Sequence, residues 1–329
     1  PDTKPLEKFD LIYNGEISKW IKFANSLKLR LAMRVSKVYP EAQQIAEAAV
    51  NNKYGVIENN TDNPVMQSNS TLSFTYFNPF YNLYSEEGYN EDRMGASMDA
   101  YLNGFEDPRL PVFFTKAKDG KYRGLRNGLK NGLKFMGDAR LSQPTIKQSD
   151  PTLWMNAAEV YFLRAEGALK QWNMKGEARG LYEEGIRKSL EQHGLAAQAD
   201  AYINSDNKPA KYEGFSSSLS MPAPSDITVA WDDADSKERL LERIITQKWI
   251  ALYPIGQEAW SEFRRTGYPK IFPIVDNMSD GKVNTQIQVR RLPFPESEYS
   301  GNNAEVLKAV TLLGGGPDTG GTRLWWDKE

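Results

Sequence analysis

The sequence predicts a mainly α-helical protein, built from paired helices joined by long irregular loops with few short strands. Apolar residues recur at steps of three and four in three separate parts of the 329-residue chain, a spacing typical of amphipathic helices. The intervening stretches, residues 58–151 and 267–329, hold most of the Gly and Pro residues and many aromatic ones. Because disordered segments are poor in aromatic residues, we expect these loops to be folded.

The first predicted pair of helices lies near the start of the chain. Its first helix falls within residues 16–38, where the apolar stripe consists of Trp20, Phe23, Ala24, Leu27, Leu31, Val35 and Val38. Pro40 suits the beginning of a second helix, which has a face of small residues and stops at residues 52–55. This pattern predicts a helical hairpin.

Two further pairs are predicted downstream, at residues 157–194 and from about residue 236 to residue 265. The apolar faces of the second pair are Val160, Leu163, Gly167 and Ala168 on one helix and Ala178, Tyr182, Ile186 and Leu190 on the other. Its length is close to that of the ~34-residue tetratricopeptide helix pair, which favours stacked pairs in one scaffold. We predict one domain over residues 1–329, with an ordinary irregular all-α domain as the alternative.

Composition excludes several classes of function. A formal net charge of −2 and a pI of about 5.8 provide no basic field for nucleic acid or for an acidic membrane surface. The chain has no cysteine, which excludes disulfides, thiolate metal sites and cysteine nucleophiles within it. No apolar run approaches the ~18 residues that would predict a membrane-spanning helix.

The motifs of common enzymes are missing. His193, the single histidine, lies in EQHG at a predicted helix end, where an imidazolium would complement the helix dipole. No GxSxG or HExxH motif is present, and GGGPDTGG at 314–321 lacks phosphate-loop spacing. We therefore predict no catalytic residue and no cofactor.

A glycoside hydrolase remains the enzymatic alternative, because that chemistry needs only two suitably spaced carboxylates. The candidates are Glu86, Glu87, Glu91 and Asp92 near an aromatic stretch, and Asp232, Asp233 and Asp235 beside Trp231. We interpret both groups as solvated loop charges. The second group could also offer oxygen ligands to calcium, but Asp235 or Ser236 is equally suited to cap the next helix, and we predict no metal site.

Two aromatic clusters are the candidate ligand-binding residues. Sugars present apolar C–H faces and hydroxyl edges, which aromatic rings and neighbouring amides or charges recognise. The first cluster is Tyr76, Phe77, Asn78, Phe80, Tyr81 and Tyr84, and the second is Arg323, Trp325 and Trp326. The alternative for each cluster is packing, in which the rings hold a long loop or the C-terminal segment against the helices.

Two other sequence features are interpreted as structural. In FEDPRLPVFF, residues 105–114, Asp107 precedes a proline and suits a turn, so that Arg109 can return to a carboxylate or to backbone carbonyls. In VRRLPFPESEY, residues 289–299, two prolines spaced by one residue favour an extended run over the scaffold.

Five segments of the chain resemble the SusD/RagB family, and more narrowly its SusD-like second subfamily from Bacteroidetes. They are DLIYNGEISKWIKFANSLKLRLAMRVS (10–36), AEVYFLRAEGAL (158–169), QKWIALYPIGQEAWSEFRRTGYPK (247–270), VRRLPFPESEY (289–299) and TRLWWDK (322–328). The resemblance spans nearly the whole chain in the family's order. It implies a SusD-like fold with tetratricopeptide-like helical pairs.

The resemblance also implies a function and a location. Members of this family sit on the outer face of the outer membrane through a lipidated N-terminal cysteine and deliver glycans or other nutrients to a SusC-type TonB-dependent transporter. The chain has neither that cysteine nor the helices expected before DLIYNG, so we expect it to lack the N-terminal part of the mature protein. The alternatives to a nutrient-binding protein are an all-α glycosidase and a tetratricopeptide-like adaptor that binds only protein.

Overall fold

The computed structural model describes residues 4, 6–68, 77–85, 89–135 and 137–328, with only the backbone at Asn82, Tyr84 and Leu133. In this part of the chain the α-helices are α1 (Ile17–Arg34), α2 (Ala42–Val50), α3 (Tyr81–Tyr84), α4 (Ala96–Gly104), α5 (Leu110–Phe113), α6 (Ala157–Leu169), α7 (Ala178–Gln192), α8 (Ala199–Ile203), α9 (Lys237–Ala251), α10 (Gly256–Thr266), α11 (Glu296–Gly301) and α12 (Asn303–Thr311). Short 3₁₀ turns occur at Asn60–Asp62, Gly132–Phe135, Ala196–Gln198 and Ser217–Leu219. The only strands among these residues, β1 (Val65–Met66) and β2 (Thr152–Leu153), pair antiparallel, with Val65 opposite Leu153. The predicted mainly helical fold is confirmed.

The first two predicted helical pairs stack as the sequence predicts. Helix α1 packs against α2 and α6, and α6 in turn packs against α7 and α9. Glycine allows the closest approach between α6 and α7, since a Cβ atom on Gly185 would lie 2.8 Å from the ring of Phe162. The stack therefore depends on small residues at the α6–α7 contact.

Helix α10 is joined to the stack by buried ion pairs. Arg265 donates to both carboxylate oxygens of Glu166 on α6, at 2.6–2.7 Å, and to Glu262 on its own helix. Lys248 on α9 donates to the same Glu262 at 2.9 Å. The attraction of Arg265 and Lys248 outweighs the effect of burial, which alone would raise the pKa of Glu262, and holds that pKa well below its usual range.

The stretches interpreted as loops contain more helix than the sequence predicts. Helices α4 and α12, of nine residues each, lie within them. In α4, Ala96, Ala100, Tyr101 and Leu102 are buried, and burial on several sides removes the one-sided stripe by which an amphipathic helix is recognised.

The Asp107–Arg109 turn has the predicted structural role. Fully buried Arg109 returns to Asp107 at 2.6 and 2.9 Å and also donates to Ser189 on α7 and to Gln247 on α9. The turn thereby joins α5 to two helices of the stack. At the start of α9, Ser236 is the N-cap and accepts a hydrogen bond from the Arg239 backbone N–H, one of the two capping options predicted.

Within the described ranges, no helix has both the length and the apolar character needed to cross a membrane.

Candidate functional site

Three adjoining cavities lie between the helical stack and the loop that precedes α3. Their volumes are about 640, 370 and 620 Å³, and Ile146 lines all three of them in the described part of the chain. The first two also share Tyr253 and Pro254. We call these three cavities the Ile146 cleft.

Aromatic rings form the wall between the first two cavities. The rings of Phe113 and Tyr253 have centroids 4.6 Å apart at an interplanar angle of 33°, and Phe114 lies 5.1 Å from Tyr253. His193 meets Phe113 edge-on, with centroids 5.0 Å apart. The cleft thus has a packed aromatic wall that can contact an apolar ligand face.

Amide side chains line the first cavity opposite the rings. Asn63 donates to Asn60 at 3.3 Å and to Gln192 at 3.4 Å, and its own oxygen accepts from the backbone of Ala157 at 2.8 Å. Asn60 donates to the backbone oxygen of Lys188 on α7 at 3.0 Å. These bonds hold three amides in place, and their remaining donors and acceptors can serve hydroxyl groups.

Backbone pairing fixes the floor of the cleft. The Thr145 N–H donates to Phe113 O at 3.0 Å, and the Thr115 N–H donates to Gln143 O at 2.8 Å. The Thr145 hydroxyl also donates to the backbone of Val112. Segment 143–146 therefore follows α5 along the cleft.

Asn78 attaches residues 77–80, which precede α3, to residues 148–151, which follow segment 143–146. Its N–H donates to Gln148 O at 3.0 Å, and its side-chain amide donates to the backbone oxygens of Asp150 and Pro151 at 3.3 and 3.4 Å. Its side-chain oxygen accepts from the Phe80 N–H, which starts the α3 turn. Asn78 is buried and holds the start of α3 beside the cleft.

His193 lies at the end of α7, as predicted, but its predicted charge is wrong. Burial, together with the nearby positive charge of Arg109, lowers the pKa of His193 to about 4, while Asp107 acts in the opposite direction. The imidazole is therefore neutral at pH 7 and does not complement the helix dipole as a cation. Its ring forms part of the aromatic wall instead.

Most described members of the first predicted cluster lie along the Ile146 cleft. Asn78, Phe80 and Tyr81 each line one of its cavities. Phe77, next to Asn78, is 41% exposed. Tyr76 and the side chain of Tyr84 lie outside the described residues.

The second predicted cluster packs in a different part of the molecule. Trp326 lies beneath the guanidinium groups of Arg34 and Arg264, 5.2 and 4.8 Å from its ring centroid. Arg323 donates to buried Asp327 at 2.7 Å. Trp325 is 61% exposed and is the member whose ring faces solvent most.

Of the acidic residues named as catalytic alternatives, Asp232, Asp233 and Asp235 have other contacts. Asp233 accepts from Trp231 and Arg179, and Asp235 accepts from Arg239 and Arg243. Asp232 accepts from the Ala234 N–H in a turn. Asp92 lines the second cavity of the cleft and Glu91 is exposed, while Glu86 and Glu87 lie outside the described residues. Over the described ranges, no cluster of three His, Asp or Glu side chains could hold a metal ion.

Sequence reasoning missed the residues that shape the cleft most. Phe113 and Thr145 belong to segments interpreted as structural or irregular, and Tyr253 follows α9 with no local pattern that indicates a ligand. The amides of Asn63 and Gln192 are 129 positions apart, so no local motif could unite them. Only the aromatic stretch gave a signal, and its described residues Asn78, Phe80 and Tyr81 border the cleft.

The sequence profile of a family described as Susd and RagB outer membrane lipoprotein matches residues 1–327. The chain belongs to this SusD-like family. Solved structures of SusD homologues align over nearly the whole of this SusD-like chain. A chitin-binding SusD homologue from Flavobacterium johnsoniae is 41% identical, has a TM-score of 0.91, and aligns over 99% of this chain and 67% of its own.

Two further SusD homologues are similarly close. One from Bacteroides thetaiotaomicron is 41% identical with a TM-score of 0.90, over 100% of this chain and 70% of its own. One from Bacteroides uniformis is 40% identical with a TM-score of 0.91, over 100% of this chain and 68% of its own. The SusD-like chain thus spans about two thirds of the length of these relatives. Comparison with curated proteins gave no match.

Proposed function

We propose that the protein binds an oligosaccharide in the Ile146 cleft at the cell surface, leaves it chemically unchanged, and delivers it to a SusC-type TonB-dependent transporter. The observation that supports binding is the meeting of rings and amides in one cleft. Phe80, Tyr81 and Tyr253 offer rings, while Asn63 and Gln192 offer amides. Such a set is suited to the C–H faces and hydroxyl edges of sugars.

The size of the cleft supports an oligosaccharide over a bare monosaccharide. The first two cavities of the cleft, of about 640 and 370 Å³, each fall within the ~300–1,000 Å³ range of small-molecule sites. The third cavity, which Tyr81 borders, also has Ile146 in its lining. Several sugar units can therefore bind along the segment that Ile146 marks. Phe77, Tyr76 and Tyr84 are proposed as further sugar contacts.

Chitooligosaccharide is the first ligand to test. The Flavobacterium johnsoniae relative is a chitin-binding protein, and the acetamido groups of chitin can exchange hydrogen bonds with the amides of Asn60, Asn63 and Gln192. Trp325, with Arg323 and Trp326 beside it, is proposed as a second, outlying contact for a long glycan chain.

The acids that line the first cavity favour binding without hydrolysis. Asp150 accepts a backbone hydrogen bond from Lys147, and Glu191 is exposed and pairs with Lys188 at 2.9 Å. A glycosidase needs one acid whose pKa is raised in an enclosed apolar site, opposite a second carboxylate. Neither side chain has such surroundings.

The test is isothermal titration against a panel of chito-, cello- and malto-oligosaccharides, with chromatography of the recovered sugar. The proposal predicts saturable binding of at least one oligosaccharide and recovery of that sugar at its original length. Shortened products would instead establish a glycosidase. A panel without any binding, combined with capture of a transporter, would favour a protein-binding adaptor.

Delivery to a transporter is a separate part of the proposal. It is supported by the family description as outer membrane lipoproteins, since a lipid anchor would hold the protein at the membrane beside such a transporter. Co-purification of the protein with a SusC-type transporter produced in the same cells tests this part. A barrel that purifies alone in mild detergent would contradict it.

A further inference from the structure

A cavity of about 590 Å³ lies between the end of α10 and the C-terminal segment. Residues 263–267 form one side, and Gln286, Ile287 and Arg290 contribute to the lining, as do Arg323 and Lys328. We call it the Arg264 cavity. Ile271 borders both this cavity and the Ile146 cleft, so the two sites are neighbours with different linings.

The lining of the Arg264 cavity is strongly cationic. Among the described residues it includes seven cationic side chains and a single acid, Glu238, in a chain whose formal net charge is −2. The cationic residues are Lys37, Arg264, Arg265, Lys270, Arg290, Arg323 and Lys328. The one acid accepts a hydrogen bond from the Tyr268 hydroxyl at 2.7 Å, so part of its acceptor capacity is already used.

The cations are arranged by depth. Arg264, Arg265 and Arg290 are buried, whereas Lys37 and Lys328 are exposed. The guanidinium of Arg264 is held between the rings of Trp260 and Trp326, at 3.7 and 4.8 Å from their centroids. Rigid guanidinium groups therefore lie at the base, and flexible lysines at the entrance.

Some of these charges are neutralised within the protein and others are not. Arg290 and Arg323 share the carboxylate of Asp327, while Arg265 has Glu166 and Glu262, and Lys270 has Glu242. For Arg264, Lys37 and Lys328, no carboxylate of the described residues lies within ion-pairing distance. The cavity therefore carries an excess of positive charge.

The pKa values of two cations in the cavity are lowered by burial and by neighbouring positive charges, the latter as expected for an excess of positive charge. Burial lowers the pKa of Arg264 to about 10, and the positive charge of Arg34 contributes in the same direction. Burial also lowers the pKa of Lys37, with a further contribution from Arg265. A bound anion would reverse these effects, because an opposite charge favours the protonated form.

We infer that the Arg264 cavity binds the carboxylate of a small organic acid with a polar body, of which a uronic acid is an example. Guanidinium groups match carboxylates in shape and hydrogen-bonding pattern. A bare inorganic anion would fill only a fraction of the volume, whereas a sugar-sized body can contact Phe263, Ile271 and Ile287 in the lining. The ligand differs from a neutral oligosaccharide by its charge.

The test compares glucuronate with glucose by isothermal titration at constant ionic strength. The probe variant is the double substitution Lys37→Gln and Lys328→Gln at the exposed entrance, and the control is Lys211→Gln, an exposed lysine outside the lining. We expect saturable binding of glucuronate and no saturable binding of glucose. The affinity for glucuronate should fall about fivefold in the probe variant, because two entrance charges are lost. It should be unchanged in the control.

Three outcomes would overturn the inference. They are a lack of glucuronate saturation, equal weakening in probe and control, and inorganic sulfate binding as tightly as glucuronate. Neutral glycans in the Ile146 cleft provide the independent reference, so a failure here leaves oligosaccharide binding unaffected.

Discussion

The rings of Phe113 and Tyr253 meet with centroids 4.6 Å apart, and this contact joins α5 to the second residue after the end of α9. Residues 140 positions apart in the sequence thereby form the wall that two cavities of the Ile146 cleft share. The helical stack positions Tyr253 through α9, and the Asp107–Arg109 turn positions Phe113 through α5. The position of the cleft therefore follows from how the stack packs.

The α6–α7 contact predicts opposite effects for two glycines of the same helix. A Cβ atom at Gly185 would lie 2.8 Å from the ring of Phe162, whereas nothing lies within 4 Å of one at Gly180. We expect Gly185→Ala to lower the free energy of unfolding by about 1–3 kcal/mol through overpacking. Gly180→Ala should raise it by about 0.5–1 kcal/mol, because alanine favours helix. Urea denaturation measures both, and equal effects would contradict the close packing.

The C-terminal segment depends on Asp327. Its buried carboxylate accepts from Arg290 at 2.6 and 2.7 Å and from Arg323 at 2.7 Å. Asp327→Asn should cost about 3–5 kcal/mol of unfolding free energy, because it leaves a buried guanidinium unpaired. Glu183→Gln, which removes one partner of the exposed Arg179, is the control and should cost little. If both variants unfold at the same urea concentration, Asp327 does not anchor the segment.

The lowered pKa of His193 should make the free energy of unfolding depend on pH, and the chain has only this one histidine. The pKa of His193 is about 4 in the folded chain, lowered first by burial, against ~6.5 when unfolded. Below pH 6.5 the unfolded chain therefore takes up a proton that the folded chain does not, and stability falls as pH decreases toward 4. Between pH 7 and pH 5 we expect a loss of about 2 kcal/mol.

Two measurements check this prediction. Urea denaturation at pH 7 and pH 5 should show a smaller loss for His193→Gln than for the unsubstituted protein. An NMR titration of the single imidazole gives its pKa directly. A midpoint at pH 6 or above would contradict the lowered pKa of this half-buried imidazole.

The helical pairs could be predicted because their apolar periodicity is local. The predicted helix within residues 16–38 corresponds to α1, and residues 157–194 contain α6 and α7. Helix α4 could not be predicted in this way, since burial on several sides leaves no stripe. Only part of the candidate site could be predicted from the sequence. The aromatic loop stood out by composition, whereas Tyr253, Asn63 and Gln192 are united only by tertiary packing.

Ring contacts in the cleft predict a loss of glycan affinity that other exposed rings should not share. Tyr81 borders the open cavity of the Ile146 cleft, whereas Phe9 is 81% exposed and lies outside the cleft lining. Tyr81→Ala should weaken oligosaccharide binding about fivefold to tenfold, the effect of about 1–1.4 kcal/mol expected for one ring contact. Phe9→Ala should leave binding unchanged. Isothermal titration with the tightest sugar of the panel compares them, and equal affinities of the two variants would place the ligand elsewhere.

A crystal structure with that tightest-binding oligosaccharide tests the central proposal most directly. The account predicts intact sugar units in the Ile146 cleft, with a C–H face against Tyr253, Phe80 or Tyr81 and hydroxyl groups within hydrogen-bonding distance of Asn63 or Gln192. Sugar bound only at Trp325 and Trp326, or a cleaved sugar in the cleft, would contradict it.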